Sequence, residues 1–356
     1  MTDLLCQTLN LQYPIIQAPM AGVSTPEMAA AVTQAGALGS ISIGASTPQQ
    51  AAEMIAKTQA LTGGPINVNV FCHAPVQRNA EREQAWIARF AELFARYEAE
   101  PPAALQEIYQ TFHANEAMLK VIEQAKPAAV SFHFGIPDAQ TIQRLRGRGI
   151  VTLATATNVN EALQIARSGI DFIIAQGIEA GGHRGHFDPK AFDNQLSTFT
   201  LVQAIRQQTS HPLVAAGGIM DGTGIAAMMQ TGIAGVQLGT AFVLCPESAA
   251  NHAHKAALRQ AHASGTVITA AISGRQARCL RNAFCTFSAD FPAEDIPDYP
   301  LTYSLGKALA AAAAAKDQHG FGAQWAGQGA ALAREMPAAE LIKTLVREWR
   351  GKLYQH

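Results

Sequence analysis

The chain has 356 residues, of which 48 % are hydrophobic and only 15 % charged. A charged share so far below the roughly 25 % of an average soluble chain leaves material for a large core and excludes disorder as the main state. Its 26 basic and 27 acidic side chains give a formal net charge of -1, so no basic excess exists to drive binding to nucleic acid or to an anionic membrane, and the expected partner is a small molecule.

The N-terminal stretch Met1–Pro14 lacks the basic start and long apolar run of a secretory signal, and a cytoplasmic protein is expected. Eight short apolar, β-branched runs follow: Ile15–Met20, Leu38–Gly44, Ile66–Cys72, Ala129–Gly135, Val151–Thr157, Asp171–Gly177, Leu213–Gly218 and Gly235–Phe242. Each has the length and composition of a strand buried on both faces. The segments between them read as helices. Thr25-Pro26 and Thr47-Pro48 each place a capping residue before a proline at the first helical position, and Gly36 ends the first of these helices. Asn158 caps a helix over Asn160–Arg167 that stops at Gly169. Eight strands alternating with helices predict an α/β protein, a TIM (β/α)8 barrel; a doubly wound sheet is the competitor.

Two gaps are longer. His73 to Lys126 predicts an inserted helical segment, about 73–126, in which Trp86, Phe90, Phe94, Tyr97, Tyr109 and Phe112 are mostly packing residues. After the eighth run, residues from about 249 to 356 predict a helical extension, with helices over Ala249–His262, Ser304–Lys316 and Ala338–Arg350. The alanine-rich Leu309–Ala315 is too short for a membrane span. No flexible linker separates these parts, so 1–356 reads as one domain. The five cysteines, Cys6, Cys72, Cys245, Cys279 and Cys285, are odd in number and form no C-x-x-C. That argues against a disulfide framework and a structural zinc site, and no metal is expected.

In a barrel the C-terminal strand ends share the face where active sites form. Here they carry Gln17 to Gly22, Asn67 and Asn69, His133, Gln176 to Gly185, Gly217 to Gly222, and Gln237 to Thr240. Paired glycines after the seventh strand, with Gly239 after the eighth, let backbone N–H groups approach an anion closely, and barrels often bind phosphate there. Gly222-x-Gly224-x-x-Ala227 echoes a dinucleotide fingerprint, but the next strand carries no acidic residue for a ribose. Glu179 and Asp221 read as solvated or helix-capping carboxylates, His252 and His254 as surface residues, and Cys72 as a core thiol. His183, in a glycine-rich loop at the predicted active face, is the candidate catalytic residue.

The runs Gln17-Ala18-Pro19-Met20-Ala21-Gly22, Asn69-Val70-Phe71, Gln176 through Gly185, Ala216-Gly217-Gly218-Ile219 and Gln237-Leu238-Gly239-Thr240-Ala241-Phe242 resemble, in order, the motifs of the nitronate monooxygenase family. Tyr299, Tyr303 and Lys307 match the C-terminal pattern of its bacterial class I. The resemblance implies a TIM barrel with bound FMN that uses O2 to oxidise alkyl nitronates, such as propionate 3-nitronate, to a carbonyl compound and nitrite. It also implies roles. Asn69 and Gln176 would hydrogen-bond the flavin. Gly181, Gly218, Gly239 and Thr240 would receive its phosphate, with Gln237 and Leu238 in the same cofactor-binding stretch and Met20 beside the ring. His183 would face the substrate, and His133, Tyr109, Tyr299, Tyr303 and Lys307 would line the rest of the pocket.

A nitronate is an anion, and an ammonium, tyrosine hydroxyls and an imidazole suit it. Whether His183 is a base or an electrostatic partner stays open at this level. Two other readings share the scaffold: an NAD(P)H-dependent flavin reductase of quinones or enoyl thioesters, and a flavin-binding barrel without catalysis.

Overall fold

The computed structural model describes residues 4–353. Its strands are β1 (Ile15–Gln17), β2 (Gly39–Ser42), β3 (Ile66–Phe71), β4 (Ala129–His133), β5 (Val151–Ala156), β6 (Phe172–Gln176), β7 (Gly182–His183), β8 (Leu213–Ala216), β9 (Gly235–Leu238), β10 (Thr266–Thr269) and β11 (Ala277–Leu280). Eight of them form one parallel sheet in the order β1-β9-β8-β6-β5-β4-β3-β2. Leu38 closes the ring: its N–H donates to the Ile15 carbonyl and its own carbonyl accepts from Gln17, at 2.9 and 3.0 Å. Each of the eight predicted runs contains one of these strands, so the barrel replaces the doubly wound alternative.

Local chemistry explains the surrounding helices. Thr47 and Gln50 form a reciprocal capping box at the start of Pro48–Thr62, and Thr25 caps Pro26–Gln34. Asn158 caps Val159–Ser168, which ends on Gly169 in the left-handed conformation. Alternation along the strands then sorts the core. Ile173 and Val236 face the helix layer, while Phe172, Ile174 and Val214 point inward and meet Leu5 and Leu9 of the first helix, Leu4–Leu9. The inward positions nearer the C-terminal ends are polar: Asn69, Gln176 and Gln237.

The insertion and the tail share an apolar cluster. Trp86, Phe90 and Phe94 pack with Phe284, Leu301, Leu305 and Leu309. The tail is helical over His252–Arg259, Leu301–Ala314 and Ala338–Leu353. It also supplies β10 and β11, which pair antiparallel with each other, and β11 pairs antiparallel with β7 on its other edge. No helix among the described residues is long and apolar enough to cross a membrane.

Candidate active site

A cavity of about 650 Å3 opens at the C-terminal ends of the barrel strands. It is lined by Met20, Asn69, Tyr109, His133, Gln176, Gly181, His183, Gly218, Gln237, Gly239, Thr240, Tyr299, Tyr303 and Lys307, so segments far apart in sequence converge on one volume. Leu238 is the exception among the predicted site residues. It follows inward-facing Gln237 on β9, so its side chain points outward and is buried in the helix-facing core.

The barrel side is held by hydrogen bonds. The Asn69 amide nitrogen donates to the Ser131 carbonyl and hydroxyl, both at 3.1 Å, and its oxygen accepts from the Ser42 hydroxyl at 3.3 Å. Gln176 clamps the loop bearing His183: its amide nitrogen donates to the His183 carbonyl at 2.9 Å and its oxygen accepts from Gly185 N–H at 2.8 Å. His133 is similarly engaged, with Nε2 on the His183 carbonyl at 3.3 Å and Nδ1 on the Thr155 hydroxyl at 3.1 Å. Both side chains thus shape the loop rather than stand free in the pocket. Arg184 is a structural clamp, pairing with Asp193 at 2.9 Å and donating to the Gln176 and Gly177 carbonyls.

Two of the glycines have conformational reasons. Gly218 has φ +72, a left-handed geometry that favours glycine. At Gly181 a Cβ would lie 2.5 Å from the Gly327 nitrogen, so this glycine admits the tail against the barrel loop. Gly327 N–H in turn donates to the Thr240 hydroxyl at 2.9 Å. Gly222 matches no dinucleotide site, because a Cβ there would strike the Trp349 backbone at 2.3 Å. Asp221 caps the helix Gly222–Met229, and Glu348 accepts from Gly222 N–H at 3.0 Å. The N-terminus of that helix is therefore already supplied with carboxylates, and the exposed backbone of the glycine turns is what faces the cavity. Glu179 likewise accepts from Thr198 N–H at 2.8 Å, a capping role. The Gln237 side-chain oxygen is buried with no protein partner.

The opposite side is aromatic. Around His183 stand Trp325, Tyr299, Phe134 and Tyr303, with ring centroids at 5.0, 5.4, 5.6 and 6.3 Å. Burial, reinforced by His133, Arg275 and His73, pushes the His183 imidazole down to about 3, so it is neutral near pH 7. Its Nε2 lies 2.9 Å from the Ser273 hydroxyl. That hydroxyl also lies 3.2 Å from the Arg275 carbonyl, so Ser273 ties the imidazole to the turn that precedes β11. Burial pushes Tyr109 and Tyr303 up to about 12 and Tyr299 well above the usual phenol range, keeping all three phenols protonated as donors. The Lys307 ammonium lies 5.0 and 5.2 Å from the Tyr109 and Tyr303 ring centres. Among the described residues it forms no ion pair.

Several lining or supporting residues were not among the predicted site residues: Ser273, Arg275, Trp325, Gly327 and His254. A signal existed for the first two, since the β-branched Thr266–Thr269 and the run Ala277–Leu280 flank the turn that holds them. His254, expected on the surface, is buried with Nε2 on the Trp325 carbonyl at 3.2 Å, because its helix turns that face toward the cavity wall.

Known proteins share this architecture over the whole chain. The family model for nitronate monooxygenase matches residues 2–348. A nitronate monooxygenase of Paraburkholderia phytofirmans is 52 % identical over 98 % of this chain and 95 % of its own length. One from Pseudomonas aeruginosa is 50 % identical over 99 % and 100 %. Among solved structures, nitroalkane oxidase from Streptomyces ansochromogenes superposes with a TM-score of 0.88 at 38 % identity, covering 98 % of both chains. FabK from Thermotoga maritima gives 0.74 at 26 % identity, covering 98 % and 96 %. With its fold shared with solved relatives and half of its residues with curated ones, the chain belongs to the nitronate monooxygenase family of oxidoreductases.

Proposed function

We propose that this protein binds FMN in the C-terminal cavity and uses O2 to oxidise small alkyl nitronates to a carbonyl compound and nitrite. One observation carries the reading: a single cavity joins glycine turns on its barrel side to an ammonium without an ion-pair partner among the described residues, three phenols and a neutral imidazole on its other side.

The residues present suit FMN. The cavity volume falls within the usual range for cofactor sites. Backbone at Gly218, Gly239 and Thr240 suits a phosphate, the Gln237 oxygen lacks a donor, and Asn69 and the half-buried Met20 suit the edge and face of a ring system. FMN when bound supplies the electron-transfer chemistry. The chain's own groups do the rest. Lys307 draws in the anion, and Tyr109 and Tyr303 donate to its oxygens. The aromatic wall excludes water and strengthens these contacts. His183 is a neutral imidazole near pH 7, which suits it to receive a proton rather than to neutralise the anion; that task falls to Lys307.

We read residues 1–356 as one functional unit and place it in the cytoplasm, in keeping with five cysteines that are odd in number and form no C-x-x-C. The test is acid release and chromatography of the flavin, combined with oxygen uptake on propionate 3-nitronate. FMN and rapid uptake are expected. Recovery of FAD, or rapid anaerobic bleaching by NADH with no response to nitronate, overturns the reading.

A further inference from the structure

The tail holds two thiols that the nitronate chemistry does not use. Cys279 lies on β11 and Cys285 in the short helix Ala283–Phe287, and their sulfurs are 3.3 Å apart. Cys279 is fully buried, whereas Cys285 retains 8 % exposure. We propose that Cys279 and Cys285 are a peroxide-sensitive dithiol that closes reversibly to an intramolecular disulfide, and that closure slows the enzyme through the strand paired with His183.

The geometry favours closure. An S–S bond is about 2.05 Å long, so the sulfurs must approach by little more than 1 Å, a shift within reach of side-chain rotation. The two thiols are also unequal. A hydrogen bond from Cys279 to the Cys285 sulfur holds the Cys285 thiol below its usual range and pushes Cys279 up. The more exposed sulfur is therefore the better nucleophile. Burial pushes the thiols of Cys72 and Cys245 up, so neither shares this character.

The chemistry balances with hydrogen peroxide as oxidant. The Cys285 thiolate attacks one peroxide oxygen, the O–O bond breaks, and the sulfenic acid forms with release of one water once hydroxide is protonated. Cys279 sulfur then attacks the sulfenic sulfur. The S–S bond forms, the S–O bond breaks, and the departing hydroxide leaves as a second water with the Cys279 proton. Two thiols and one peroxide thus become a disulfide and two waters.

The site lies close to the catalytic candidate. Ala277, two residues before Cys279, pairs with His183 across β11 and β7. Cys279 itself bridges to Trp325, whose ring stands 5.0 Å from that of His183. Displacing β11 moves the wall on which the imidazole rests.

The test uses the full-length holoenzyme, treated with hydrogen peroxide, then catalase, then alkylated and mapped by mass spectrometry without reduction. A Cys279–Cys285 cross-linked peptide lighter by two hydrogens, reversed by dithiothreitol and absent from Cys285→Ser and Cys279→Ser, is expected. Both thiols remaining fully alkylatable in the wild type, or oxidation that stops at sulfinic acid on Cys285 without pairing, overturns the site. The link to turnover rests on the nitronate-oxidising reading. Turnover should fall at least about threefold in treated wild type, a modest fraction of what a misplaced catalytic group can cost, and recover with dithiothreitol. An equal fall in Cys285→Ser, or no fall in the wild type, overturns the link. Untreated enzyme that never oxidises nitronate overturns the functional reading and the link together, and leaves the peptide map to decide the disulfide.

Discussion

The two sides of the cavity are built on different principles. On the barrel side, Asn69, Gln176 and Gln237 sit at alternate positions of hydrogen-bonded strands, and Gly218 and Gly239 follow directly from strand ends. Their positions are set by the sheet. On the opposite side, Tyr109 comes from the insertion, and Ser273, Tyr299, Tyr303, Lys307 and Trp325 come from the tail; their places are set by ring-to-ring packing, such as Tyr109 on Tyr303 at 5.8 Å. The lesson is a division of labour. The rigid barrel side suits a cofactor common to many barrels, while the packed side, free to vary without disturbing the sheet, suits the choice of substrate.

The comparison can be broken most sharply at His183, which lies where the two sides meet. Replacement by Asn should leave FMN bound and lower turnover on nitronate by roughly one hundredfold or more, the scale of a positioned proton-transfer group. Steady-state rates beside the flavin-to-protein ratio measure this, and activity within about threefold of wild type would make His183 structural. At the seam, Gly181→Ala sets a methyl against the Gly327 backbone. It should destabilise the protein by about 1–3 kcal/mol through overpacking and weaken FMN binding about tenfold, read by thermal melts and flavin titration. Unchanged values for both would show that the tail does not press on the barrel loop.

A purely substrate-side effect is expected from Lys307→Met. KM for a nitronate should rise about tenfold with little change in kcat, the scale of one charge-assisted hydrogen bond. An unchanged KM would place the ammonium outside the binding path. The last expected effect concerns stability rather than activity. Burial pushes His183 down to about 3, and His133 and His73 down to about 4, from an ordinary 6.5. The unfolded chain therefore binds more protons as the pH falls below about 6.5, and stability is lost in that direction, on the order of 1–2 kcal/mol per histidine between pH 7 and 5. Denaturant melts should show the loss, with a shallower slope in His183→Asn; a flat profile would mean that these imidazoles charge freely in the folded state.

Much of the barrel side was legible in the residues. Strand rhythm located all eight strands, and the glycines at their ends marked the cavity face. Leu238 was misplaced because a motif read as a contiguous string ignores the alternation that sends every second side chain outward. Gln176 and His133 line the cavity, but their engagement with the His183 loop depends on how that loop folds back. In the tail, helix periodicity was visible, whereas β10 and β11 were too short to stand out among helices and pair only through partners far away in the chain.

Local pattern by itself thus determined the alternation of strand and helix, the caps that start and stop the helices, and the polar residues gathered at the strand ends, because each depends on neighbours within a few residues. Tertiary structure alone decided which tail residues meet His183, that Ser273 bonds its imidazole, and that Lys307 faces the cavity without an acidic partner among the described residues. Those relations arise from packing between segments as much as 200 residues apart, where no periodicity records the contact and only the closed barrel brings the partners together.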